Sequence, residues 1–104
     1  MTDPEFVTRI IDVCANEAGV SRKEFLNTRE QRVCKFRDDA IYLAREHTDL
    51  AFEALAELFG QRHHTTLIQS HRKAGMRLTR NLIRKGGQSW SEWHQHLLAK
   101  VNEQ

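Results

Sequence analysis

The run Arg62-His63-His64-Thr65-Thr66 is the part of the chain best equipped for chemistry, followed at once by Leu67-Ile68 and then by Arg72-Lys73. Each threonine offers a hydroxyl and a methyl, each imidazole can donate or accept, and arginine and lysine hold anions. These types suit recognition of base edges and phosphates better than bond breaking. His64 and His71 lie two helical turns apart, but no carboxylate or thiol stands near them in sequence, so no metal is expected there. Cys34 with His47 as nucleophile and base lacks an orienting third group, and the pair reads instead as a buried thiol and a core histidine. No catalytic residue and no cofactor follow from the sequence.

The elements that must position this run are helices. Phe52, Leu55, Ala56 and Phe59 form one apolar face, Gly60 supplies a left-handed stop, and Leu67, Ile68, Ala74 and Leu78 form the next stripe. Two amphipathic helices joined through a glycine predict a helix-turn-helix, with the polar residues in the first turn of its second helix. Thr48 or Asp49 is the expected cap of the first of these helices. The second has no obvious breaker before Gly86-Gly87, so one long helix and two shorter ones are both open.

Ahead of this pair, residues 5–18 read as a helix with Phe6, Ile10, Val13 and Cys14 on one face, Pro4 in its first turn and Gly19 closing it. Ser21 caps a short turn ending at Phe25 and Leu26. Asn27 to Lys35 carries Arg29, Arg32 and Lys35 with little apolar content and reads as a basic loop that orders on an anion. Lys35 to His47 repeats Phe36, Ala40, Leu43, Ala44 and His47 at helical spacing, widened by Ile41. Ser89 caps a last helix with Trp90, Trp93, Leu97 and Val101 inward. No strand-like alternation or internal repeat occurs. The fold class is therefore all-α: a small helical bundle containing a helix-turn-helix, with an extra C-terminal helix.

Length and charge bound the rest. The 104 residues suit a single domain over 1–104, with a core at 5–75 and a C-terminal extension at 76–104. No apolar run approaches a membrane span, and the start carries Asp3, Pro4 and Glu5 rather than a signal segment, so a cytoplasmic, nucleoid-associated protein is expected. Cys14 and Cys34 match no paired spacing and read as two reduced, buried thiols. Net charge is +2, but residues 1–60 hold 8 Lys/Arg against 12 Asp/Glu, whereas residues 61–104 hold 8 against 2. The basic half begins where the polar first turn begins, as attraction to a phosphate backbone requires. Lys73, Arg77, Arg80 and Arg84 fall on one helical face and prolong it.

Leu43-Ala44-Arg45-Glu46-His47-Thr48, Leu55-Ala56, Phe59-Gly60-Gln61-Arg62-His63-His64-Thr65-Thr66-Leu67 and Arg72-Lys73 together resemble the C-terminal DNA-binding domain, domain IV, of the bacterial replication initiator DnaA. The resemblance runs without a gap from about Arg29 to Lys73 and more loosely back to Phe6. It implies a helix entering the major groove of double-stranded DNA while an arginine from a basic loop reaches the neighbouring minor groove. Arg29 falls at that arginine's position. His64, Thr65 and Thr66 match helix-start residues that contact bases and phosphates, and Arg45 matches a phosphate contact. With Arg32, Lys35, Arg62, His63, Arg72 and Lys73 these make the expected DNA-binding set.

The departures are specific. His63 stands where the family usually has an acid, Ala51 where it has a serine cap, and Glu53 where it often has proline, while Glu30 and Gln31 dilute the basic loop. The preferred site is therefore expected to differ from the usual DnaA box. The five glycines form no phosphate loop, so neither nucleotide binding nor origin melting is expected. The leading reading is non-catalytic, sequence-preferring duplex binding that regulates transcription or replication initiation. A second reading is a degenerate DnaA-like adaptor whose Arg77, Arg80 and Arg84 face meets an acidic protein partner.

Overall fold

The computed structural model describes residues 2–61, 63–80 and 87–103, and its described elements are six helices. They are α1 (Asp3–Ala18), α2 (Arg22–Asn27), α3 (Gln31–His47), α4 (Phe52–Leu58), α5 (His64–Thr79) and α6 (Trp90–Asn102). The all-α bundle expected from periodicity is what forms. α3 runs through its middle, packed most extensively on α5 and α1, and α4 packs against α5 as the first half of the helix-turn-helix.

Local chemistry sets most boundaries. The side chains of Thr2, Ser21 and Ser89 accept from the backbone N–H three residues on, at Glu5, Glu24 and Glu92, which satisfies one orphan donor at each helix start. Ser89 also donates its hydroxyl to the Glu92 carboxylate at 3.1 Å, which holds the capping side chain in place. α4 stops at Gly60, whose φ of 67° only glycine adopts cheaply, with Gly60 N–H donating to Glu57 and Gln61 N–H to Ala56 at 3.1 and 2.8 Å. α5 ends at Thr79, before the Gly86-Gly87 pair that reads as its breaker.

Three expectations about elements change. The basic loop shrinks, because α3 begins at Gln31, leaving Thr28–Glu30 as the connector and placing Arg32 and Lys35 on helix. The reason is Val33, fully buried within an otherwise polar stretch, which pins the first turn to the core. Neither Thr48 nor Asp49 caps α4. Thr48 donates to Ala44 at 2.7 Å and accepts from Leu50 N–H, Asp49 N–H donates to the Asp3 carboxylate, and the capping position falls to Ala51 with no side-chain bond. His47 is exposed in the last turn of α3 rather than in the core, and Cys34 is only half-buried, so Cys14 alone is a fully buried thiol.

One core of apolar side chains links all six helices, with Ile10, Phe25, Ile41, Leu43, Leu55, Phe59, Leu67 and Leu97 among its fully buried members. Within it sits a carboxylate. Asp39 is 1% exposed, accepts from Trp93 Nε1 at 3.1 Å and lies 2.8 Å from His94 Nε2. Trp93, expected to face the core, does so through this bond as well as through an edge contact with Phe36. A buried carboxylate without partners is very costly, so both α6 donors are obligatory. Asp39→Ala is expected to lower unfolding free energy by about 2–4 kcal/mol, with Asp39→Asn milder because its amide still offers an acceptor. Urea denaturation followed by circular dichroism measures both, and a loss below about 0.5 kcal/mol for Asp39→Ala would contradict this role.

Candidate nucleic-acid interface

The turn after Gly60 delivers an unusually open helix start. His63 occupies the capping position of α5 in extended conformation, with no side-chain cap bond. His64, Thr65 and Thr66 are exposed, and Leu67 directly behind them is fully buried. Thr66 N–H makes a 3.3 Å bond to the His63 carbonyl. The first N–H groups of a helix lack partners within it and lie at the positive end of its dipole, so the start of α5 suits an anion. Leu67 and the Phe59 ring behind the turn, both inaccessible to solvent, fix the angle at which these polar side chains leave the surface. Arg62 lies outside the described residues.

The other cations divide into two groups. Arg45 near the C-terminal end of α3 and Arg72 in the middle of α5 line one concavity with Phe52, Ile68, Glu46 and His71. Arg45 is held there by its guanidinium lying 5.3 Å from the Phe52 ring centroid. Lys73 is exposed one residue further along α5. Arg32 and Lys35 lie toward the opposite end of α3, roughly 20 Å and about 15 Å from Arg45 along that helix, and Arg29 sits on the connector just before it. All three are exposed, and Arg32 leans on Glu30 at 3.4 Å.

The connector bearing Arg29 is tied down by a residue that composition did not single out. Arg37 Nη1 donates to the carbonyls of Phe25 and Thr28, both at 3.0 Å, and its Nη2 reaches Cys34 Sγ at 3.2 Å. One guanidinium thus closes the end of α2 onto the start of α3, and the exposed Arg29 projects from a braced turn. The signal was present as a third cation at helical spacing from Val33 and Cys34, but on sequence alone it reads as one more solvated charge.

The basic stripe along α5 is interrupted. Arg77 turns inward, its side chain 18% exposed, bonded to Asp38 at 3.2 Å and lying 5.2 Å from the Trp90 ring centroid. Arg80 is exposed, and Arg84 lies outside the described residues. His71 is likewise a packing residue, stacked on Tyr42 at 4.9 Å, edge-on to Phe52 and 3.0 Å from the Glu46 carboxylate. Gly75, one turn further along α5, also faces Tyr42, and a Cβ there would stand in ordinary van der Waals contact with the ring at 3.4 Å. The Tyr42–His71 stack thus sets α5 against α3 at this point.

The comparisons with known proteins agree with this geometry. The model of the bacterial DnaA helix-turn-helix matches residues 7–74, a span from within α1 to the middle of α5. The chain belongs to this family. It is 38% identical over 73 residues to the chromosomal replication initiator protein DnaA of Picosynechococcus sp., covering 69% of this chain and 16% of the relative. For DnaA of Corynebacterium jeikeium the figures are 35% over 81 residues, 76% of this chain and 14% of the relative. For DnaA of Nostoc sp. they are 36% over 62 residues, 59% and 14%. The chain thus spans about one-sixth or less of the length of these DnaA proteins. Among the described residues no helix is long and apolar enough to cross a membrane.

Asp38 supplies a test of the α3–α5 joint that supports the DnaA-type helix pair. Burial raises its carboxyl above the usual range, an effect that hydrogen bonds from Ser70 and the charge of Arg77 only partly offset. The folded state therefore holds the Asp38 proton more tightly than the unfolded chain does. Its stabilising contribution is complete below about pH 4 and is lost as pH rises through the raised value. Stability of Asp38→Asn relative to the parent should accordingly improve between about pH 3.5 and pH 7, measured as urea midpoints across pH. A relative stability independent of pH would contradict this assignment.

Proposed function

We propose that the chain binds double-stranded DNA without catalysis, setting the first turn of α5 in the major groove and Arg29 in the adjoining minor groove. The observation that carries this reading is the exposed, uncapped start of α5, presenting His63, His64, Thr65 and Thr66 from a rigid DnaA-type helix pair. Thr65, His63 and His64 read base edges, Arg29 reads the narrow, negative groove, and Arg45, Arg62, Thr66 and Lys73 hold phosphates. Arg32, Lys35 and Arg72 add charge around these contacts. The separation of roughly 20 Å along α3 between its two basic ends suits contact with neighbouring grooves. Such binding serves regulation of transcription or of replication initiation.

His63 in place of the family's acid changes what the first turn can accept. A carboxylate accepts from the exocyclic amine of cytosine, whereas imidazole both accepts and donates. The preferred sequence is thereby shifted from the usual DnaA box. The adaptor reading loses ground because Arg77, central to its basic face, is committed to Asp38 and Trp90.

Fluorescence anisotropy with labelled duplexes tests the proposal. If about three to five cations meet phosphates, log affinity should fall against log salt with a slope of about −3 to −4.5, and a DnaA-box-like duplex should be preferred over random sequence. Flat, negligible binding would sink the reading. Arg29→Ala and Thr65→Ala should each narrow sequence discrimination by about 1–3 kcal/mol, while Lys73→Ala weakens all duplexes alike. A selective loss on Lys73→Ala would contradict this division of roles.

A further inference from the structure

The concavity between α3, α4 and α5 holds about 390 Å³ and is lined by Arg45, Glu46, Phe52, Ile68, His71 and Arg72. Its charges are unequally committed. Glu46 is taken by His71 at 3.0 Å, whereas neither Arg45 nor Arg72 has a carboxylate partner among the described residues. Arg45 is nonetheless fixed in place, because its guanidinium rests over the Phe52 ring. Phe52 and Ile68 are half-buried and give the hollow an apolar floor. Two unpaired guanidiniums beside a small apolar surface, with the one carboxylate already satisfied, form a receptor for a single negative charge attached to an apolar body.

From this arrangement we infer that the hollow binds a small amphiphilic monoanion: a carboxylate carrying an aromatic ring or a short aliphatic chain. The carboxylate sits between Arg45 and Arg72, where planar guanidinium offers paired donors, and the apolar part lies against Phe52 and Ile68. A dianion without an apolar part would forgo the floor and meet Glu46. Arg45 and Arg72 also belong to the proposed DNA surface, so an occupied hollow weakens duplex binding. That consequence rests on the proposed function, whereas occupancy itself does not.

Phenylacetate titrated into the isotope-labelled full chain, without DNA, tests the site by nuclear magnetic resonance. Saturable shifts confined to Arg45, Phe52, Ile68, His71 and Arg72 are expected, weakened at least about tenfold by Arg72→Gln and unchanged by Arg80→Gln, an exposed position outside the hollow. Phenethyl alcohol, which lacks the charge, and inorganic phosphate, which lacks the apolar part, should each bind at least about tenfold more weakly. Equal binding of the alcohol, equal binding of phosphate, or equal sensitivity to Arg72→Gln and Arg80→Gln would overturn the proposal. Adding labelled duplex afterwards separates the two readings: phenylacetate binding without competition leaves the site intact and speaks only against the shared surface.

Discussion

Two adjacent carboxylates on α3, Asp38 and Asp39, constrain how the other helices are placed. Consecutive residues of a helix point about 100° apart, so the pair faces two neighbours at once: Asp38 meets Arg77 of α5, and Asp39 meets Trp93 and His94 of α6. Both are buried. Apolar contacts tolerate sliding by fractions of a turn, but a buried carboxylate tolerates no loss of its donors, so these bonds select one register out of several that the apolar stripes would allow. The inward turn of Arg77, its stacking on Trp90 and the stacking of His71 on Tyr42 all belong to this fixed register.

The proposed DNA surface inherits its precision from that joint. α5 is pinned at Arg77, at His71, which stacks on Tyr42, and at Leu67 beneath its first turn. Between these anchors its exposed polar residues have little freedom to move relative to α3. At the other end of α3, Arg37 ties the connector to the helix start, so Arg29 is referred to the same rigid element. The two elements proposed to touch DNA are thus separated in space but share one support, a requirement for reading two grooves in register.

Much of this was legible in the sequence. The helices from 5 to 18 and from 35 to 47, the glycine turn at Gly60 and the Ser21 and Ser89 caps follow from local rules that depend on neighbours three or four residues away. The family was legible because its polar residues stand at fixed offsets from Phe59-Gly60. The start of α3 was not, since Val33 is one apolar residue among charges and its burial depends on helices distant in sequence. The same holds for Arg37, Asp38, Asp39 and Arg77. A charged side chain reads as solvated until its partner is known, and all four find partners on other helices. Ala51 shows the converse: Thr48 and Asp49 are good capping residues, but the backbone turns out of α3 so that Thr48 bonds to Ala44.

α5 and the Arg29 connector together form the surface proposed for duplex DNA. Its most direct test is residue-resolved nuclear magnetic resonance of the chain titrated with a short duplex containing a DnaA-box-like sequence. Shifts concentrated at Arg29 and at His63 to Thr66, with Arg45 and Lys73 following and exposed α6 positions such as Gln95 and Lys100 unmoved, are the predicted result. Shifts centred on α6, or none at saturating duplex, would contradict it.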